Sequence, residues 1–295
     1  MESNVLTAVL LPIALGIVML GLGLSLVLDD FRRVVVYPKA VLVGLICQTL
    51  LLPAVCYTIA RGFGLAPELA VGLMLLAASP GGATANLFSH LAKGDVALNV
   101  TLTAVNSVLS LFTLPLIVGF AMQAFLGDAR AIPMPFAKII EVFVIVLVPM
   151  GIGMTIRAKA PGFAARSAKT VKILSAVVLF LVIGGTVLKA RANLGDFFQQ
   201  VGVPALVFNL VSMAVGYFAP RLLRIDERQS IAIGMEIGIH NGTLAIAIAG
   251  PTLLNNSTMA IPPAIYSLIM FFTAAAFGWV VNRRAAPAAA PVPSA

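Results

Sequence analysis

Glu236 is the only charged side chain between Arg228 and Arg283. It lies in Gly234-Met-Glu-Ile-Gly-Ile-His-Asn-Gly-Thr243, inside a long apolar stretch. Holding a charged side chain at mid-bilayer costs about 2.5–3.5 kcal/mol on insertion scales. A carboxylate kept at that cost needs partners. The other polar residues of the apolar stretches are few: Gln48, Thr84, Asn86, His90, Asn99, Thr101, Thr103, Asn106, His240, Asn241 and Thr243 stand out. Asn99, Thr103 and Asn106 recur at i, i+4 and i+7 and share one helix face. Taken singly, each reads as a hydrogen bond between membrane helices. Gathered around an acid, neutral oxygens suit a hard cation that prefers oxygen ligands.

Other chemistry is absent from the sequence. There is no G-x-S-x-G, no H-E-x-x-H and no Walker glycine loop, and no nucleophile–base pair can be named. The chain therefore does not read as an enzyme. Glu141 follows Lys138 by three residues, an interfacial i, i+3 pair. His90 precedes Lys93 and Asp95 and reads as interfacial too. Cys47 and Cys56 lie nine residues apart in one apolar run, about 13 Å along a helix axis, too far to bridge each other.

These residues must be positioned by membrane helices. Charged residues make up 10% of the 295-residue chain, hydrophobic residues 60%, and mean hydropathy is +1.06. That is the composition of an all-α polytopic membrane protein. Nine spans are expected, at about 5–28, 39–60, 68–92, 95–126, 135–156, 170–189, 200–222, 229–250 and 259–282. Two carry their own interruption. Ser79-Pro-Gly-Gly-Ala-Thr-Ala-Asn86 breaks the third, because Pro-Gly-Gly disfavours continuous helix. Gly238-Ile-His-Asn-Gly242 breaks the eighth. Interrupted helices build ion and substrate sites in transporters.

The net charge of +8 resides in short loops and sets topology. With the N-terminus outside, 14 of the 19 basic residues face the cytoplasm and 5 face outward. The expectation is N-out and C-in. Met1-Glu2-Ser3 has no positive n-region, so the first apolar run is expected to be a span and not a cleaved signal. Residues 285–295, rich in Ala and Pro, are expected to be a disordered tail. Ala70-Val-Gly-Leu-Met and Ile231-Ala-Ile-Gly-Met precede the two breaks at an offset close to 160 residues. Units of about five spans, an odd number, would sit inverted in the bilayer.

At Pro80-Gly-Gly-Ala-Thr-Ala-Asn86, Leu91-Ala-Lys-Gly-Asp-Val-Ala-Leu98, Thr101-Leu-Thr103 and Glu236-Ile-Gly-Ile-His-Asn241 the chain resembles the bile acid:sodium symporter family. Gln48, five residues before Pro53, fits as well. The resemblance runs from the first span to the last and suggests a bacterial member. It implies a panel domain (about 5–28 and 135–189) and a core domain (about 39–126 and 200–282). Two discontinuous helices would cross in the core. It implies one sodium site at Asn86, Asn99, Thr103 and Glu236. A second would use Gln48, Glu236, the backbone oxygens of Ile237 and Ile239, and His240. Substrate would sit near Ala83, Thr84, Asn241 and Gly242. This chain departs from the family pattern in three places. Ala85 and Asn99 stand where Ser is frequent, His240 where Gln is frequent, and Met270-Phe271 where a His-Asn pair is found.

The resemblance implies a secondary transporter of the inner (plasma) membrane, importing a small to medium organic anion with sodium ions by alternating access. Its partners would be a bile acid-like, pantoate-like or other carboxylate or sulfonate, and the lipid bilayer; no nucleic acid is expected. A proton-coupled or uncoupled carrier is the alternative. An embedded enzyme would change the solute chemically, and a receptor would bind it without accumulation.

Overall fold

Apolar runs this long can satisfy their backbone groups in lipid only as helices, and the protein is an all-α membrane protein. The computed structural model describes residues 5–127, 136–189, 194–252, 254 and 256–284. Thirteen α-helices are found among them: α1 (Val5–Ser25), α2 (Leu28–Arg32), α3 (Pro38–Ile46), α4 (Leu52–Gly62), α5 (Pro67–Ala78), α6 (Ala83–Leu91), α7 (Val96–Leu126), α8 (Phe136–Lys159), α9 (Pro161–Lys189), α10 (Leu194–Leu222), α11 (Glu227–Gly238), α12 (Gly242–Ala247) and α13 (Ile261–Arg284). Prolines open α3, α5 and α9, where a missing N–H leaves no helical bond unmade. The tail at 285–295, Arg130 and Arg191 lie outside the described residues.

Among the described residues, four continuous stretches are long and apolar enough to cross a membrane: Pro38–Gly62, Val96–Leu126, Gly195–Leu222 and Thr258–Arg283. A fifth is formed if Pro12–Ser25 is joined to Leu28–Val35 across a 75° bend. That bend differs from the expected straight span to residue 28. Its cause is local: Asp30 reaches back to accept from the Val27 N–H (2.7 Å), starting a new helix at Leu28, and its other oxygen accepts from Arg33 Nη1 (2.5 Å) one turn ahead. Leu28, Val35 and Val36 remain exposed beside Arg32.

Both expected interruptions are present. α5 stops at Ala78 and α6 starts at Ala83, so the break is confined to Ser79–Gly82 and the Ala-Thr-Ala-Asn half of the motif is helical. α11 stops at Gly238 and α12 starts at Gly242. α5 and α11 are each 12 residues long. The same turn precedes each. Gly64 (φ +62°) and Arg224 (φ +58°) take the left-handed conformation. Leu65 N–H bonds Ala60 O and Ile225 N–H bonds Pro220 O, the same pattern 160 residues later. The weak sequence repeat thus coincides with a repeated entry turn and first half-helix.

α3 and α4 are one rod joined by a π turn, Cys47–Leu51. Pro53 has no N–H to give Thr49 O, and the Leu52 N–H reaches back five residues to Cys47 O instead. Gln48 sits in that turn. Both cysteines are buried and free. α7 packs along α5, α10 along α11 and α13, while α1 packs on α8 and α9.

Candidate functional site: the crossing of two broken helices

The two breaks meet. Asn241 N–H donates to Pro80 O (2.9 Å), and Gly81 pairs with His240 in an isolated antiparallel bridge. The two segments run antiparallel where they touch. Gly81 is needed sterically, because a Cβ there would run into the Glu236 carboxylate. Its N–H and the Asn106 side chain lie beside that carboxylate.

Glu236 is fully buried. Its Oε2 accepts from Thr103 Oγ1 at 2.6 Å, and its Oε1 has no hydrogen bond of good geometry. Asn99, one turn before Thr103 on α7, donates from Nδ2 to Ala232 O (2.7 Å). Gln48 donates from Nε2 to Ser79 O (3.0 Å) and Ala77 O (3.3 Å). Those backbone partners are carbonyls and can only accept, which fixes the amide nitrogens toward them and the amide oxygens away. Gln48 Oε1 and Asn99 Oδ1 are then buried without a partner, and so is Asn86 Oδ1 on α6. Three of the expected oxygen ligands are therefore buried acceptors lacking a donor, and Glu236 Oε1 has only off-geometry donors beside it. Native proteins rarely leave such atoms unmet. Acceptors without donors fit a cation and would repel an anion.

Backbone oxygens add to the set. In a continuous helix, Ile237 O would accept from the Asn241 N–H, which is used here on Pro80 O. His240 behaves differently from a glutamine ligand. Its Nδ1 lies 3.1 Å from Ser79 O, so that nitrogen carries the proton, while its ring stacks on Phe208 (5.8 Å between centroids, 13° interplanar). Nε2 is buried without a partner. Gln48 and His240 thus converge on one carbonyl, Ser79 O.

The expected substrate residues stand beside this set. Ala83 opens α6, and Thr84 is half-buried. Gly242 opens α12, and a Cβ there would collide with the Ser267 hydroxyl. Asn241 Oδ1 accepts from the Leu244 N–H (3.0 Å), capping α12 and leaving its amide nitrogen free to donate to a ligand. Thr101 turns back to its own helix, bonding Ala97 O (2.9 Å). His90 is exposed, as its place near the membrane edge implied.

The sodium bile acid symporter family model matches residues 12–197, well over half of the chain. The chain belongs to the sodium bile acid symporter family. It is 29% identical to YocS, an uncharacterized sodium-dependent transporter of Bacillus subtilis (strain 168), over 88% of this chain and 78% of that protein. It is 27% identical to the probable chloroplastic sodium/metabolite cotransporter BASS2 of Oryza sativa subsp. japonica, over 95% of this chain and 65% of that one. The ileal sodium/bile acid cotransporter of Oryctolagus cuniculus shares 26% identity over 93% of this chain and 79% of its own length. The symporter is accordingly a multi-pass membrane protein, a sodium-coupled transporter of organic solutes and not an enzyme.

Two residues of the crossing were missed in the sequence. Asn209 of α10 and Tyr266 of α13 are fully buried and both donate to Gly238 O, each at 2.9 Å. The repeat could have revealed Asn209. It reaches an acceptor 29 residues ahead, the same separation as Gln48 from Ala77.

Proposed function

We propose that the symporter imports an organic anion with sodium across the plasma membrane, N-terminus outside and C-terminus in the cytoplasm. One sodium ion is held by Asn86, Asn99, Thr103 and Glu236. The other is held by Gln48, Glu236 and the carbonyls of Ile237 and Ile239, with His240 bracing the site through Ser79. The observation that carries this reading is a fully buried carboxylate together with buried acceptor oxygens without donors on Gln48, Asn86 and Asn99. A cation would meet such acceptors and neutralise the carboxylate together.

The substrate lies by Ala83, Thr84, Asn241 and Gly242. The first N–H groups of α6 and its positive dipole end favour a carboxylate or sulfonate there. The names of the relatives, bile acid and metabolite cotransporters, are in keeping with that class. The packing of α1, α8 and α9 on one another, with α1 and α9 touching α12, supports a panel lying against a core that carries the crossing. Nine spans follow if each broken pair crosses once. Alternating access is motion of the core against that panel.

The test is uptake into proteoliposomes of a panel of bile acids, pantoate, keto acids and sulfonates. Accumulation of one of them only under an inward sodium gradient is expected. Equal uptake without sodium, or uptake driven by a proton gradient alone, would refute the coupling. A cysteine placed at residue 2 is expected to label from outside intact cells and one at residue 287 not to. Labelling of the tail alone would reverse the topology.

A further inference from the structure

The Gly238 carbonyl receives two donors, Asn209 Nδ2 from α10 and Tyr266 Oη from α13. It is the last carbonyl of α11 before the break, and it lies between the carbonyls of Ile237 and Ile239. One donor would satisfy it. Two donors on different helices fix its direction as well, because a carbonyl with both lone pairs engaged has no freedom to rotate. Ile239 is extended (φ −116°, ψ 91°), and successive residues of extended backbone face opposite ways. Turning Gly238 O toward α10 and α13 therefore turns the next carbonyl away from them. Packing enforces the same register. A Cβ on Gly238 would strike Met213 of α10, and one on Gly216 would strike Ile237.

The first break shows what a longer amide does. Gln48 reaches 29 residues ahead, as Asn209 does, yet its nitrogen takes two carbonyls, Ala77 O and Ser79 O. Asn209 is one methylene shorter and holds Gly238 O alone, with Tyr266 supplying the second bond. Ile237 O, whose helical donor is diverted to Pro80, is left for another partner.

From this we infer that Asn209 and Tyr266 are positioning residues for cation binding, clamping Gly238 O away from the ion so that the next carbonyl, of Ile239, turns toward it. This rests on the sodium reading above. Neither residue touches the ion.

The experiment is sodium-dependent thermal stabilisation of the purified full-length protein in detergent, followed by sodium titration of transport. A ligand that binds only the folded state raises the melting temperature in proportion to its occupancy. Tyr266→Phe removes one oxygen and keeps the ring. Asn209→Leu keeps the approximate shape and removes the donor. Each is expected to raise the half-saturating sodium concentration about 3- to 10-fold, the worth of one ordinary hydrogen bond. The transport rate at saturating sodium is expected to stay within about twofold of wild type. If either variant melts lower in sodium-free buffer while half-saturation is unchanged, the two residues are structural braces and the inference fails. Should Asn209→Leu not fold, Tyr266→Phe alone decides. Absence of any sodium response in the wild type would overturn the sodium reading itself. That outcome differs from a failure of the clamp, in which the wild type responds and the variants respond equally.

Discussion

In the first break, the carbonyls of Ala77 and Ser79 are met by the Gln48 amide, with the His240 ring adding a second bond to Ser79. In the second, Asn209 and Tyr266 both go to Gly238, and Ile237 loses its helical donor to Pro80. The first arm is closed by protein groups and the second keeps acceptors open. The acid is distributed in the same unequal way. Glu236 lies on α11, and no charged residue lies in α5 between Glu68 and the break. Two units with the same entry turn and first half-helices of equal length thus differ as a brace and an arm with open acceptors. The brace also admits the acid, since Gly81 is the surface against which the carboxylate rests.

Removing the charge should break the comparison most. Glu236→Gln is expected to weaken sodium binding on the order of 100-fold, the size of loss when one partner of a buried charge pair is truncated. The protein should remain monodisperse and helical, because a neutral amide is easier to bury. Sodium-driven uptake in proteoliposomes, beside size-exclusion chromatography and circular dichroism, reads both parts. Normal uptake would remove Glu236 from the ion site.

Next in size is a contrast within the brace. Gly81→Ala drives a methyl into the Glu236 carboxylate. Gly82→Ala meets nothing closer than Thr84 Oγ1 at 3.5 Å, an ordinary contact. The first change is expected to raise the half-saturating sodium concentration about 10-fold or more, given overpacking costs of about 1–3 kcal/mol, and the second less than about 3-fold. Equal effects in a sodium titration of uptake would show that both glycines serve backbone flexibility and not room for the acid.

Gln48→Leu should act on stability as well as on the ion. It leaves Ala77 O with no side-chain donor and Ser79 O with His240 alone. A buried unsatisfied polar group costs about 1–3 kcal/mol. A lower melting temperature in sodium-free buffer is therefore expected, and an unchanged one would mean that Gln48 is a ligand and nothing more. His240→Gln is expected to have the smallest effect, less than about 3-fold on sodium half-saturation. A glutamine can also donate to Ser79 O, and the ring faces Phe208 and Tyr266. A gain in sodium cooperativity would instead make His240 a defect in the second site.

Both breaks were legible because Pro80-Gly81-Gly82 and Gly238 to Gly242 weaken a helix whatever surrounds them. Glu236, Thr103 and Gln48 were legible because a charge, an amide and a hydroxyl on a shared polar face are conspicuous in an apolar stretch. Asn209 was hidden for the opposite reason. A lone Asn in a span reads as an interhelical bond, and only its place in the repeat marks it out. Tyr266 reads as one more aromatic, since its hydroxyl acts through a partner distant in sequence. The bend after Ser25 was masked by unbroken hydrophobicity through Leu28, and Asp30 produces it by bonding backward onto Val27. The capping role of Asn241 depends on where α12 begins, which the composition of the break does not fix.

The π turn at Cys47–Leu51 has one more consequence, in rotation. A helix advances about 100° per residue, so one extra residue in a turn shifts the phase of everything before it relative to everything after. Deleting Leu50, which is exposed, would swing Gln48 about 100° around the rod while α4 keeps its face toward α5. The amide would then leave Ala77 and Ser79 with no other residue changed.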